Sequence, residues 1–153
     1  MDLLLWRHAE AFDAEDGQDD LSRKLTPKGE RQAKRMAEWL NRHLAESTRV
    51  LVSPALRCQQ TAAALGKKTK TVAELAPGAA VQDLIDAARW PDSSYPVLIV
   101  GHQPTLGCVA STLLTGQPHA WTIKKGAVWW FRCRSREAGA AALLHAVQAP
   151  DGL

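Results

Sequence analysis

Val97-Leu98-Ile99-Val100-Gly101-His102 contains the strongest strand signal in this chain and ends in a histidine. Four consecutive apolar residues, without alternating polar ones, are typical of a strand that is buried on both faces. Two further runs of this kind are Leu3-Leu4-Leu5-Trp6 and Val50-Leu51-Val52. Because doubly buried strands occur mainly in parallel sheets covered by helices, these runs predict an α/β protein.

The segments between these strands show helical periodicity. Apolar residues recur at helical spacing in four segments, namely Pro27 to about Ala45, Pro54 to Leu65 (with Gly66 as its stop), Val81 to Ala88, and Leu106 to about Gly116. Three weaker or later strands are predicted at Thr71-Val72-Ala73, Ala127 to Cys133 and Ala142 to Gln148. We expect the last two to form a hairpin through Arg134 to Gly139. The pattern therefore predicts a single domain over residues 1–153, a three-layer sandwich with a mostly parallel sheet and an antiparallel C-terminal pair.

The composition excludes several classes of protein. The 153 residues are 46% hydrophobic and 23% charged, which is near the average for a folded domain and unlike a disordered or fibrous chain. No stretch approaches the roughly 20 apolar residues of a membrane span. The N-terminal apolar run is too short for a secretory leader, so we expect a cytoplasmic protein. The net charge of +3 comes without a concentrated basic stripe in the sequence, so no nucleic-acid partner is expected.

The cysteines do not suggest catalysis. Cys58, Cys108 and Cys133 are widely spaced, and no Cys-x-x-Cys pair or zinc pattern is present, so free thiols in a reducing compartment are expected. A cysteine-dependent phosphatase needs Cys-x5-Arg, and no arginine stands at that offset from any of the three. The sequence also lacks a His-Glu-x-x-His motif, so we predict no metal site.

Polar residues follow three of the predicted strands. Arg7 and His8 follow the first, Ser53 and Arg57 the second, and His102 the strand quoted above. Carboxyl ends of parallel strands meet at one edge of a sheet, where helix N-termini favour anions. Prolines at Thr26-Pro27, Ser53-Pro54 and Gln103-Pro104 suit the first position of a helix and predict such N-termini there.

Two arginines and two histidines at one edge are suited to phosphate. A guanidinium group can bind two oxygens of one phosphate through two parallel hydrogen bonds, and a neutral imidazole can attack phosphorus. The alternative is that each residue is an ordinary solvated or hydrogen-bonded side chain, as His43, His119 and His145 are expected to be. Since independent accidents should not all fall at the same edge, the joint placement favours an anion site.

Four segments resemble the histidine phosphatase superfamily, and within it the short SixA-type phosphohistidine phosphatases. They are Leu5 to Ala11 (with Arg7-His8), Leu25 to Gly29, Val52 to Thr61 and Val100 to Pro104. The most specific is Ser-Pro-x-x-Arg-x-x-x-Thr at Ser53 to Thr61. The resemblance extends from Leu3 to about Cys133, and the chain lacks room for the helical insertions that cover the site in larger relatives.

The resemblance implies that His8 is a phosphorylated nucleophile. The phosphate-binding residues it implies are Arg7, Arg57 and His102, with hydroxyl contacts from Ser53 and Thr26 and a further contact from Arg23. It implies neither a cofactor nor a metal. The family usually has glycine after the Arg-His pair, where this chain has Ala9, whose methyl group is expected to narrow the pocket slightly.

The sequence does not decide which residue is the general acid. Glu74 and Glu10 are the two candidates, and Glu74 could equally be an exposed loop carboxylate. Imidazole, with a conjugate-acid pKa of about 6.5, leaves without much help, whereas an alkoxide does not. A site without a clear acid is therefore better suited to phosphohistidine.

These observations predict a metal-independent phosphatase that acts on phosphohistidine in a signalling protein, such as a histidine phosphotransfer domain. The alternatives are a phosphatase for small phosphomonoesters and a phosphate- or phosphoprotein-binding module without turnover. The acidic segment from Asp13 to Asp20 is expected to be a solvated loop that could also select partners.

Overall fold

The protein was examined as a computed structural model, which describes residues 1–134 and 141–153. Within these residues the strands form one six-stranded sheet in the order β3-β2-β4-β1-β5-β6. The strands are β1 (Asp2–Arg7), β2 (Arg49–Val52), β3 (Lys70–Thr71), β4 (Val97–Gly101), β5 (Val128–Arg132) and β6 (Leu143–Gln148). The helices are α1 (Pro27–His43), α2 (Leu56–Ala63), α3 (Val81–Ala88) and α4 (Thr105–Thr115). Short 3-10 turns lie at Asp20–Ser22, Ala73–Leu75 and Pro150–Gly152.

The directions of the strands confirm the predicted fold class. β1, β2, β3 and β4 pair in parallel, whereas β5 pairs antiparallel with both β1 and β6. The C-terminal pair is therefore antiparallel, as expected. Residues 135–139 of the predicted connection between these two strands lie outside the described residues.

Alternate side chains of the central strands are buried on opposite faces of the sheet. Leu3, Leu5 and Ile99 pack in one core with the inner faces of α3 and α4. Leu4, Trp6 and their neighbours pack on the other face against α1 and α2. Each large apolar side chain removed from water in this way contributes about 1.5–3 kcal/mol, so both layers of helices are fixed to the sheet.

One of the three proline predictions is confirmed. Pro27 is the first residue of α1, and the Thr26 hydroxyl caps the helix by accepting from the Gly29 amide at 3.0 Å. This cap satisfies one of the amides that a helix leaves unpaired at its start.

The other two proline predictions are wrong. The helix after Ser53 begins at Leu56, because the Ser53 hydroxyl accepts from the Ala55 amide and holds Pro54 in a turn. Pro104 is the residue before α4, which begins at Thr105. The strand predicted at Thr71-Val72-Ala73 is also displaced: β3 ends at Thr71, and Ala73 begins a 3-10 turn.

The hydrogen-bond ladder continues past the strand ends and brings the polar residues together. The His8 amide donates to the Gly101 carbonyl at 3.2 Å, and the Ser53 amide donates to the Val100 carbonyl at 3.1 Å. The first residues after β1, β2 and β4 therefore converge at the carboxyl edge. Among the described residues, no helix has both the length and the apolar content needed to cross a bilayer.

Candidate active site

The imidazole rings of His8 and His102 lie side by side at this edge. Their centroids are 5.3 Å apart, and the two residues are 8% and 5% exposed. This proximity follows from the parallel register that pairs Arg7 with Gly101, because His8 and His102 are the next residues on their strands. The predicted convergence of the two histidines is therefore present in the structure.

The His8 side chain is held in one tautomer. Its Nδ1 lies 2.8 Å from the Ala9 carbonyl oxygen, which can only accept, so Nδ1 carries the proton and Nε2 has a free lone pair. Burial, together with the cations of Arg57, Arg7 and Arg23, lowers the pKa of His8 to about 4 despite the opposing hydrogen bond to Ala9. His8 is therefore neutral at pH 7, with Nε2 as a potential nucleophile.

His102 is oriented by residues of the second strand–helix junction. The Arg57 Nη2 lies 3.4 Å from His102 Nδ1 and can only donate, which makes Nδ1 the acceptor. The other nitrogen, Nε2, then donates to the Ser53 hydroxyl at 2.8 Å. Burial, with the neighbouring His8 and Arg57, lowers the pKa of His102 to about 3, so this ring is also neutral at pH 7.

The Cys58 thiol lies beneath this pair, 3.4 Å from His102 Nε2. Burial raises the pKa of Cys58 to about 12. A protonated, buried thiol is a poor nucleophile, so the chemistry of the site falls to the imidazoles.

Both predicted arginines present the same unpaired atom. Arg7 donates from Nη1 to the Ile123 carbonyl at 2.9 Å, and Arg57 donates from Nη1 and Nη2 to the carbonyl and carboxylate of Asp20 at 2.8 and 3.1 Å. In the described part of the chain, the buried side-chain nitrogen and oxygen atoms without a partner are Arg7 Nε, Arg57 Nε and Thr48 Oγ1. Leaving a buried donor unpaired costs about 1–3 kcal/mol, more for a charged group, so these two arginines are suited to an anion.

Asp20 connects Arg57 to Arg23. Its second carboxylate oxygen accepts from Arg23 Nη1 at 3.2 Å, and Arg23 Nε donates to the Phe12 carbonyl at 2.7 Å. Burial acts to raise the pKa of Asp20, but the hydrogen bonds from Arg23 and Arg57 outweigh it and leave the pKa below its usual value. Sequence reasoning missed Asp20 as a residue of the site. The one available signal was its spacing, three residues before Arg23 within an otherwise solvated acidic run.

The remaining predicted residues have other contacts. The Thr26 hydroxyl donates to the Glu10 carboxylate at 2.7 Å, so these two bind each other at the start of α1. Glu74 lines a separate cavity of about 700 Å³ beside α3, together with Lys70 and Asp83. Arg7, His8, Arg57 and His102 do not line that cavity, whereas the residues after Glu74, Leu75 and Ala76, line a small cavity with His102.

Thr61, the last residue of the motif at Ser53 to Thr61, fixes the loop after β1. Its hydroxyl accepts from the Ala9 amide at 3.1 Å and donates to the Arg57 carbonyl at 2.7 Å. The Ala9 methyl packs with Leu25 and Ala33 and is fully buried. The threonine therefore ties the chain carrying His8 to the helix carrying Arg57.

The side chains at this edge are suited to an anion, and the regions that the structure describes hold no evident metal site. Across residues 1–134 and 141–153, no group of three or more His, Cys, Asp and Glu side chains could hold a metal ion. The site instead combines two neutral imidazoles with buried guanidinium donors, an arrangement that can bind a phosphoryl group and stabilise its charge during transfer.

The fold is that of an α/β phosphatase, with paired histidines and arginines at the carboxyl edge of its sheet. Residues 3–84 match the family model of the histidine phosphatase superfamily (branch 1), and the chain belongs to this superfamily.

Similar proteins carry the comparison further. The phosphohistidine phosphatase SixA of Escherichia coli is 32% identical over 126 residues, which cover 76% of each chain. An uncharacterized protein of Picosynechococcus is 36% identical over 138 residues, covering 84% of this chain and 82% of the relative. A solved structure of the protein histidine phosphatase SixA complexed with tungstate superposes with a TM-score of 0.78 at 25% identity, covering 99% of each chain. The chain is thus similar to SixA in sequence and in fold.

Proposed function

We propose that this protein is a metal-independent phosphohistidine phosphatase that works through a covalent phosphohistidine at His8. One observation carries the proposal. The neutral, buried imidazole of His8 has a free Nε2 lone pair and feels the charges of Arg57 and Arg7, and each of these anchored arginines has a buried Nε without a partner. A tetrahedral phosphoryl group matches this combination, because it offers several anionic oxygens to the arginines and an electrophilic phosphorus to the imidazole.

In the first half-reaction, His8 Nε2 attacks the phosphorus of the substrate phosphohistidine. A nitrogen–phosphorus bond forms to His8 as the substrate's nitrogen–phosphorus bond breaks. The substrate ring takes a proton from solvent on its other nitrogen as the bond breaks, so it leaves as neutral imidazole with the electron pair of the broken bond. Arg7, Arg57 and His102 surround the phosphoryl oxygens and hold them during the transfer.

In the second half-reaction, water attacks the phosphorus on His8. The bond to Nε2 breaks, its electron pair returns to the imidazole, and inorganic phosphate leaves. The proton released by the attacking water balances the proton taken up by the leaving imidazole in the first step. His8 is regenerated in the neutral form that its low pKa favours.

The leaving group favours phosphohistidine over an alcohol ester. The carboxylates that could protonate an alkoxide have other contacts, since Glu10 is bound by Thr26 and Glu74 lines a separate cavity. Imidazole leaves readily without such an acid, as its conjugate acid has a pKa of about 6.5. The likeness to the phosphohistidine phosphatase SixA supports the same substrate class, and a phosphorylated signalling protein is the partner we propose.

The test mixes the purified protein with a histidine phosphotransfer domain carrying labelled phosphate and, separately, with an aryl phosphate, both in excess EDTA. We expect faster turnover of the phosphoprotein and transient acid-labile label on His8. A His8→Ala variant that turns over the phosphoprotein at the normal rate would refute the proposal. Strong turnover of a sugar phosphate, abolished by Glu74→Gln, would instead indicate a phosphomonoesterase, and binding without turnover would indicate a binding module.

A further inference from the structure

The outer face of α1 carries a line of cations beside the active site. Lys28, Arg31 and Arg35 line a groove of about 240 Å³ together with Gln32, Pro150 and Asp151. Their spacing places the three cations on one side of the helix over roughly 10 Å, at 1.5 Å of rise per residue. In the sequence the three cations are separated by Gly29, Glu30, Gln32, Ala33 and Lys34, and helical periodicity brings them to one side.

The groove adjoins the backbone of the nucleophile. Gln32 accepts a hydrogen bond from the Glu10 amide at 3.0 Å, and the Gly126 amide donates to the His8 carbonyl at 3.1 Å. A Cβ atom at Gly126 would lie 2.9 Å from Pro150 Cγ and 3.6 Å from Gln32 Cβ. Gly126 therefore fills the narrow space between His8 and two residues that line the groove.

Two more cations extend this line toward the phosphate-binding arginines. Lys124 and Lys125 are exposed on the turn that precedes Gly126, and the Ile123 carbonyl of the same turn anchors Arg7. We define Lys28, Arg31, Arg35, Lys124 and Lys125 as the basic rim. Within the described chain, none of the five belongs to an ion pair; the pairs there involve Arg23, Arg57 and Arg132.

The segment bearing Asp20 has the opposite charge. Asp13, Glu15, Asp16 and Asp19 are exposed in the chain that leads to Asp20, whose carboxylate binds Arg57. The pocket is thus flanked by a basic rim and by an acidic segment. A uniformly anionic polymer such as a nucleic acid would be repelled by the acidic segment, whereas a protein surface can match both signs.

We infer that the basic rim is the docking surface for the phosphoprotein substrate, and that this substrate carries acidic side chains next to its phosphohistidine. The inference rests on the proposed function and specifies the partner of the same site. Charged rims act mainly by increasing the rate of productive encounter, so the rim should raise kcat/KM for the protein substrate and do little for a small one.

The test compares two triple charge reversals that change the net charge equally. Lys28→Glu/Arg31→Glu/Arg35→Glu removes the helical part of the rim. Lys67→Glu/Lys68→Glu/Lys70→Glu is the matched control, since Lys68 and Lys70 line the cavity beside α3. Each protein is assayed on a phosphorylated histidine phosphotransfer domain with acidic residues around the phosphohistidine, on the same domain with those residues neutralised, and on phosphoramidate.

We expect the rim variant to lose roughly tenfold in kcat/KM on the acidic domain and to keep the phosphoramidate rate, while the control variant keeps both. Raising the salt from about 0.05 M to about 0.3 M should slow the wild-type protein on the acidic domain and have little effect on the rim variant. Equal losses in both variants would overturn the inference, as would salt-independent turnover. Inhibition of the wild-type protein by a short DNA duplex, with phosphoprotein turnover unaffected by the rim reversal, would overturn it in favour of a nucleic-acid surface.

These arms separate the two proposals. If the rim variant turned over the acidic domain at the wild-type rate, while phosphoramidate turnover and the label on His8 were intact, the docking surface alone would be overturned. Absence of label and of turnover on every substrate in the wild-type protein would overturn the proposed function itself.

Discussion

Arg7 and Arg57 each have a buried Nε without a partner but are anchored in different ways. Arg7 is held by a backbone carbonyl, that of Ile123, in the turn before β5. Arg57 is held by Asp20, through both its carbonyl and its carboxylate, in the acidic segment between β1 and α1. We call Arg7, His8 and His102, which depend on the sheet and its turns, the sheet-held half of the pocket. Arg57 depends on Asp20 in an exposed loop, and we call these two residues the loop-held half.

Because of this difference, Arg7 is held permanently in place, whereas the position of Arg57 can change. A backbone carbonyl fixed beside a central strand keeps its place as long as the sheet is folded. A half-exposed carboxylate in a surface loop can move or be replaced by another anion, including a substrate. The sheet-held half should therefore carry the chemistry, and the loop-held half should adjust the affinity for phosphate.

The largest effect is expected from His8→Gln, in the sheet-held half. Glutamine keeps the size and polarity of the side chain but cannot form the covalent intermediate, so turnover of a phosphorylated phosphotransfer domain should fall roughly 10⁴-fold. Stopped-flow or radiolabel assays measure the rate, and the variant should show no acid-labile label. His102→Gln is the comparison: it should be slower than the wild type but should still become labelled, because it retains the nucleophile.

The next largest effect is expected from Arg7→Lys and Arg57→Lys. Lysine keeps the charge but removes the Nε donor that each arginine presents, so each variant should lose about 10²-fold in kcat/KM. Similar losses would show that both halves contact the phosphoryl group despite their different anchors. A nearly normal rate for Arg57→Lys would show that the loop-held arginine does not contact it.

A smaller effect is expected from Asp20→Asn. Removing the carboxylate charge weakens the hold on Arg57 and Arg23, so KM for the phosphoprotein and the Kd of vanadate should rise about fivefold, with a smaller change in kcat. Asp20→Glu should recover part of the loss, and Asp19→Asn is the matched control in the same segment. A fall in kcat with unchanged vanadate affinity would contradict a positioning role for Asp20.

The sheet-held half was predictable because parallel strands impose a simple rule. Once Leu3-Leu4-Leu5-Trp6 and Val97-Leu98-Ile99-Val100 are recognised as neighbouring parallel strands, the residues that follow them meet at one edge. The convergence of His8 with His102, and the predicted fold class, followed from that rule.

The loop-held half could not be predicted in the same way. Asp20 binds Arg57 across 37 positions of the chain through a side-chain contact, and no period or motif in the sequence specifies such a contact. The predicted helix start at Pro54 failed because the Ser53 hydroxyl accepts from the Ala55 amide and holds the first residues after β2 outside the helix, and α4 begins one residue after Pro104. The preference of proline for the first position of a helix is overridden where the chain bends to form the site.

The last expected effect concerns stability and not turnover, and it depends on the two histidines of the sheet-held half. The folded-state pKa values of His8 and His102 are lowered to about 4 and about 3, whereas in the unfolded chain both should be near 6.5. Below pH 6.5 the unfolded state therefore binds more protons than the folded state, and stability is lost as the pH falls toward the folded values. Urea unfolding should show a loss on the order of 3 kcal/mol between pH 7 and pH 5, and His102→Gln should show about half of it. A variant as acid-sensitive as the wild type would mean that the buried imidazoles are not the groups responsible.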